Sequence, residues 1–291
     1  MFAMCRLAFA AVLSILIAVG CGKPVVPGST LSRQLRGEIG SLRAAMPAKS
    51  PFPLNAGREV SNRHPGYSLA KNRGTFSFPA AHTPKMIAIT MDVETMGNLA
   101  PVLDELKKNG FHMTFFICGS FARTHSEMLR RIAAEGHEFG NHTVTHPWLS
   151  KSSDAKIRDE FLGVEKMVHD ATGSTTRPYF RPPYGARNAK VDKIAEELGF
   201  RDIMWNCTAA DAQFPRPSVD KVLSLIMAAK PGSIFLCHSF VESTTKALVL
   251  ALPKLKAKGI KVCTISDMVE AHLAAAKLEP AKPQKPTVKK R

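Results

Sequence analysis

Between Met86 and Ile265, short apolar runs alternate with stretches of helical period, and this alternation restricts the fold more than any other feature of the chain. The runs are MIAITMDV (86–93), HMTFFIC (112–118), HEFGNHT (137–143), RPYFRPP (177–183), FRDIMWN (200–206), SIFLCH (233–238) and KVCTI (261–265). Helical patterns at 99–108, 126–135, 154–171, 188–198, 218–229 and 244–258 lie among them. Gly110, Gly136, Gly199 and Gly259 stand where helix ends favour a left-handed residue. Repeated strand–helix units imply parallel strands joined by crossover helices. The expectation is an α/β fold: a distorted (β/α) barrel of about seven parallel strands behind an irregular N-terminal extension. A doubly wound sheet is the alternative.

The flanks differ from this core. Arg6 precedes the apolar run Leu7–Val19, which has the length of a signal-peptide core and is short for a membrane span. Ala18-Val19-Gly20-Cys21 follows, so residues 1–21 are expected to be a lipoprotein-type signal with Cys21 as the lipidation site. Residues 22–84 form a basic extension punctuated by proline and glycine, and residues 278–291 a Pro/Lys-rich tail expected to be disordered. Of the net charge of +16, segment 22–84 holds +7 and 277–291 holds +5, whereas 85–276 holds only +3. Basic flanks suit an anionic wall polymer or lipid headgroups, or act only as solubilising extensions; no nucleic-acid partner is expected. Cys118, Cys207, Cys237 and Cys263 sit in apolar runs without CxxC spacing, which argues for small buried hydrophobes rather than a zinc-cysteine site.

Polar clusters fall at the C-terminal ends of the strands, the face on which α/β barrels build their sites. Strand alternation sends Asp92 and Glu94 one way and Val93 the other. His142 and His146, four residues apart after a strand, suit a two-histidine, one-carboxylate metal arrangement. His137 is expected to pack or cap. Trp148 stands ready either to wall a sugar groove or simply to pack. Arg181, ahead of Pro182-Pro183-Tyr184-Gly185, is suited to pair with a carboxylate, and His238 ends an apolar strand where a general acid would stand. Asp211 adds one more acid at a strand end.

GHEFGNHTVTH (136–146), RPPYG (181–185) and IFLCH (234–238) together resemble carbohydrate esterase family 4, the polysaccharide deacetylases with a NodB-like domain. The resemblance runs from about Lys85 to Glu270 and places the catalytic domain at 85–277. It implies a divalent metal, zinc being the leading expectation, and an N-acetylated sugar polymer as substrate. Peptidoglycan N-acetylglucosamine leads; chitin oligomers, an exopolysaccharide or a catalytically inactive wall-binding role are the alternatives. Residue by residue, it implies Asp92 as base, His142 and His146 as metal ligands, Arg181 as partner of the base and Tyr184 as donor of an oxyanion-facing N–H. Asp211 would orient the catalytic acid His238, and Leu236 would line the groove.

The sequence departs from the family pattern twice. Val93 stands where a second aspartate usually binds the metal, so Glu94 is expected to complete the site with His142 and His146. The reverse assignment, with Asp92 as ligand and Glu94 as base, and a site of two histidines and water remain open. Thr208-Ala209-Ala210-Asp211-Ala212 lacks the tryptophan that usually follows the second aspartate of its motif.

Overall fold

The computed structural model describes residues 84–278. The signal segment with Cys21, nearly all of the basic extension and nearly all of the tail lie outside the described residues. The strands are β1 (Met86–Val93), β2 (Thr114–Ile117), β3 (Glu138–Asn141), β4 (Tyr179–Phe180), β5 (Arg201–Asp202), β6 (Cys207–Thr208), β7 (Ile234–His238) and β8 (Lys261–Val262). The helices are α1 (Leu99–Asn109), α2 (Gly119–Ala122), α3 (Ser126–Ala134), α4 (Asp154–Thr172), α5 (Ala189–Glu197), α6 (Val219–Ala228), α7 (Glu242–Ala257) and α8 (Ile265–Leu278). None of the described helices is long and apolar enough to cross a membrane.

All ladders are parallel, in the order β5-β4-β3-β2-β1-β7-β6, with β8 beside the start of β1. Strands β5 and β6 end this path on opposite sides, yet only residues 203–206 join them. So short a link forces the sheet to curl until its edges approach, which makes the distorted barrel. The run 200–206 is therefore not one strand. It ends as β5 on one edge, and the chain re-enters the sheet as β6 on the other. Run 177–183 shrinks to two residues because Pro178 and Pro182, flanking β4, have no N–H to give a ladder. Run 261–265 stops early because Thr264 and Asp267 cap α8 reciprocally, at 3.0 and 3.3 Å.

Strand β1 is buried along its whole length. Its odd-numbered residues Ile87, Ile89, Met91 and Val93 join Leu103 and Leu106 of α1 and Leu248 and Leu252 of α7 in the outer core. Met86 and Ala88 face inward with Phe116, Tyr179, Ile203 and Ile234. Side-chain alternation then carries Thr90 and Asp92 up the same inner face. Serine and asparagine fix three helix starts: Ser153, Asn188 and Ser218 accept from the N–H groups of Lys156, Val191 and Lys221 at 3.3, 3.0 and 3.2 Å. Gly110 and Gly173 close α1 and α4 at φ 69° and 70°.

Gly140 of β3 lies opposite Phe116, and a Cβ there would run into the Phe116 ring. That ring carries the Arg181 guanidinium at 4.1 Å. Gly140→Ala is expected to cost about 1–3 kcal/mol, as overpacked cores do, read as a lowered midpoint in urea unfolding. A neutral result would mean that Phe116 has free space to move.

Candidate active site

Register assembles the site. Asp92 pairs with Phe116 on one side and with His238 on the other. Asn141 pairs with Phe180, so His142 and Arg181 both emerge one residue beyond their strands on the same rim.

Asp92 is 3% exposed and Arg181 fully buried. Arg181 Nη1 donates to Asp92 Oδ1 at 2.7 Å and Nε to the Ile203 carbonyl at 3.0 Å, while the guanidinium lies over Phe116 and 5.5 Å from the Trp205 ring centroid. Burial alone would push the Asp92 carboxyl up. The charges of Arg181, His142 and His238 outweigh it and hold Asp92 below the usual carboxylate range. The group therefore stays ionised although it is buried.

Glu94, His142 and His146 bring their ligand atoms within 4.8 Å of one another. His142 Nε2 and His146 Nε2 are 3.2 Å apart, and His146 Nε2 is 3.4 Å from Glu94 Oε1. Asp92 falls outside this trio, although its Oδ2 is 3.6 Å from His142 Nε2. Val93, buried in the outer core, takes no part. His142 Nδ1 is 2.8 Å from the Arg181 carbonyl, a contact that fixes the proton on Nδ1 and turns the Nε2 lone pair inward. Burial and the nearby His142 push His146 down to about 4, so its imidazole is neutral at ordinary pH. Two imidazoles and a carboxylate converging on one point are a donor set that fits a divalent ion. Burial raises Glu94 against the pull of His142 and His238, and a cation between the three groups would favour its ionised form.

The loop that carries His146 is shaped by two left-handed residues and by a buried acid. Thr143 and His146 have φ of 67° and 56°. Glu160 of α4, 1% exposed, accepts from the Thr145 N–H at 2.8 Å and its hydroxyl at 2.6 Å, and Thr143 Oγ1 accepts from the His146 N–H at 3.1 Å. Sequence reading missed Glu160. Its signal is an acid on the apolar stripe of α4 between Ile157, Phe161 and Val164.

On the opposite side His238 Nδ1–H donates to Asp211 Oδ1 at 2.8 Å, and the His238 backbone N–H and the Thr244 hydroxyl both donate to Asp211 Oδ2, at 2.9 and 2.8 Å. Burial would lower the His238 pKa, but the hydrogen bond to Asp211 and the charge of Asp92 raise it above the ordinary imidazole value. Thr244 was not legible as a site residue, and neither was Arg216, whose Nη1 donates to the Asp211 carbonyl. Leu236, buried, precedes His238 by two positions on the inner face of β7. Tyr184 sits at φ 59°, and its exposed ring stacks on exposed Trp148 with centroids 4.5 Å apart, while standing edge-on to His146 at 4.6 Å.

His137 lies away from this group. Its Nδ1 accepts from the Met113 N–H at 3.3 Å, and its ring packs on Phe115. Cys118, Cys237 and Cys263 are buried, Cys207 is half-buried, and all four are free thiols.

A family model described as polysaccharide deacetylase matches residues 80–203. The peptidoglycan-N-acetylglucosamine deacetylase PgdA of Listeria monocytogenes is 35% identical over 206 residues, 68% of this chain and 42% of that protein, so this chain spans less than half the length of that relative. The peptidoglycan-N-acetylmuramic acid deacetylase PdaA of Bacillus subtilis is 32% identical over 226 residues, 75% of this chain and 86% of that protein. Its solved structure matches with a TM-score of 0.64 at 29% identity, covering 69% of this chain and 87% of that one. A family 4 pseudoenzyme from Bacillus anthracis matches with a TM-score of 0.59 at 33% identity, covering 65% of this chain and 66% of that one. A mutant of it described as having restored activity aligns equally well, at 0.59. With strand order, motif positions and relatives in agreement, the chain belongs to the polysaccharide deacetylases of carbohydrate esterase family 4.

Proposed function

We propose that this protein is a metal-dependent N-deacetylase of a cell-wall amino-sugar polymer, with peptidoglycan N-acetylglucosamine as the leading substrate. One observation carries the reading: an Arg-paired carboxylate, a three-donor metal group and an Asp-paired histidine meet at the ends of adjacent strands. Glu94, His142 and His146 would hold the ion, zinc being the best match to this donor set. When bound, such an ion supplies Lewis acidity, making water more acidic and drawing charge from a carbonyl oxygen. Asp92, kept ionised by Arg181, takes a proton from the attacking water. The Tyr184 backbone N–H faces the oxygen on which negative charge develops. His238, protonated beside Asp211, gives its proton to the departing amine. Acetate and a free amino sugar result. Trp148, Tyr184 and Leu236 would line the groove, and the two aromatic faces suit a pyranose ring.

In this reading residues 85–277 are the catalytic domain, flanked by basic segments that suit an anionic wall, and the protein works in the cell envelope, tethered through lipid on Cys21. A mature N-terminus beyond Cys21 without lipid, seen by mass spectrometry, would remove the tether. The similarity to the family 4 pseudoenzyme supports a second reading, a wall-polymer binder without turnover, to which the departures at Val93 and Ala212 also point. Incubation with purified peptidoglycan and with chitin oligomers separates the two. Mass spectrometry is expected to find sugars that have lost acetyl, and bound but intact polymer would favour the binder.

A further inference from the structure

His142 and His146 stand four residues apart, but no helix holds them: both lie in the loop that follows β3. On a helix that spacing would put the two rings on one face automatically. Here the backbone has to turn left-handed twice, at Thr143 and at His146, before the two Nε2 atoms come within 3.2 Å. Such φ values are costly for residues with a Cβ, above all for a β-branched threonine, so the surroundings must impose them.

Part of the restraint is local. Asn141 Oδ1 accepts from the Thr143 N–H at 3.0 Å, and the Thr143 carbonyl accepts from the Gly119 N–H at 2.9 Å. The rest comes from α4, on which Glu160 and Gly163 share one face. Gly163 makes room for Val144, since a Cβ there would lie 2.5 Å from Val144 Cγ2. On the other side, a Cβ at Gly119 would lie 2.7 Å from the Val144 Cα. Val144 is thus seated between two glycines. Glu160 grips the next residue with both oxygens, Oε2 taking the Thr145 N–H and Oε1 the Thr145 hydroxyl. Lys156 Nζ lies 2.6 Å from Oε1 and balances the buried charge. Glu160 is outside the trio of converging donors, so it reaches that group only through His146, the neighbour of Thr145. The two histidines are therefore aligned differently: His142 through a bond to its ring, His146 through the backbone on either side of it.

We propose that Glu160 is a positioning residue of the metal site, which by holding Thr145 sets His146 against His142 and so fixes how tightly, and in what geometry, the ion is held. The proposal rests on the metal-dependent reading above.

The test titrates the chelator-stripped full chain with zinc against a chromophoric competitor and reads geometry from the visible absorption of the cobalt(II) form. Glu160→Leu keeps bulk and removes both acceptors. It should weaken zinc binding about tenfold or more, the range for lost support behind a ligand, and change the cobalt spectrum. Glu160→Gln should restore most of the affinity, because its amide can accept from the Thr145 N–H and donate to the Thr145 hydroxyl. Thr145→Val gives up one of the two bonds and should fall between. In a His146→Ala background Glu160→Leu should weaken binding no further, since the ligand it acts through is gone. If Glu160→Leu does not fold, Thr145→Val carries the decision by the same readouts and in the same background. A variant that melts earlier yet keeps its zinc affinity and cobalt spectrum would show that Glu160 only stabilises the fold, and would overturn the proposal. A full effect of Glu160→Leu in the absence of His146 would also overturn it. Wild type that takes up no stoichiometric zinc would remove the metal reading itself and the proposal with it, whereas wild type that binds zinc while Glu160→Leu binds it equally well would remove the proposal alone.

Discussion

Replacing Asp92 with asparagine should leave the metal content of the protein unchanged and lower kcat by about 10³-fold, the scale of a lost general base. Replacing Glu94 with alanine should do the reverse, weakening metal affinity, with excess metal restoring part of the rate. The contrast follows from position. Asp92 is bound to Arg181 and lies outside the trio of converging donors, whereas Glu94 is inside it. Asparagine also leaves Arg181 buried beside a neutral partner, so the variant should lose stability, by up to about 3–5 kcal/mol if the cation finds no other support. Its rate must therefore be read well below its melting point. Elemental analysis of both variants decides the matter: an emptied site in Asp92→Asn with a filled one in Glu94→Ala would mean that the two carboxylates have exchanged roles.

The second large effect concerns pH. A general acid must be protonated, and His238 is held above the ordinary imidazole value because Asp211 and Asp92 overcome its burial. The alkaline limb of kcat/KM should accordingly lie above that ordinary value. Asp211→Asn removes the first of these supports while burial remains, so the His238 pKa falls and the limb moves to lower pH. Activity in the neutral range should drop at least about 10²-fold and partly recover on acidification. The acid limb should stay in place, because Asp92 keeps Arg181. Equal loss at every pH would show that Asp211 shapes the rim without tuning His238.

The sequence announces some of this structure more openly than the rest. Strand β1 was legible as a short apolar run, and the period of two along a strand separated Val93, in the core, from Asp92, beside Arg181. The helices were legible from their period and from closing glycines such as Gly110, whereas the caps supplied by Ser153 and Ser218 emerged only in the structure. The jump from β5 to β6 was not, because the apolar run 200–206 reads as one strand and nothing local signals a change of sheet edge. The pairing of His142 with His146 was legible from their spacing, and the resemblance pointed to Asp92, Arg181, Asp211 and His238, which the fold brings to one rim. Glu160, Thr244 and Arg216 were not legible, because their contacts with Thr145, Asp211 and the rings of Phe214 and Phe240 depend on how distant elements pack. Trp148 could be read two ways, and its exposed stacking against Tyr184 beside His146 favours the groove.

The most direct measurement is acetate release from peptidoglycan by chelator-stripped protein before and after one equivalent of zinc is returned. The account predicts negligible release from the stripped protein and, once the ion is back, one new amine for each acetate. Protein that retakes the ion and binds the polymer yet releases no acetate, or that releases it equally well without the ion, would contradict the account.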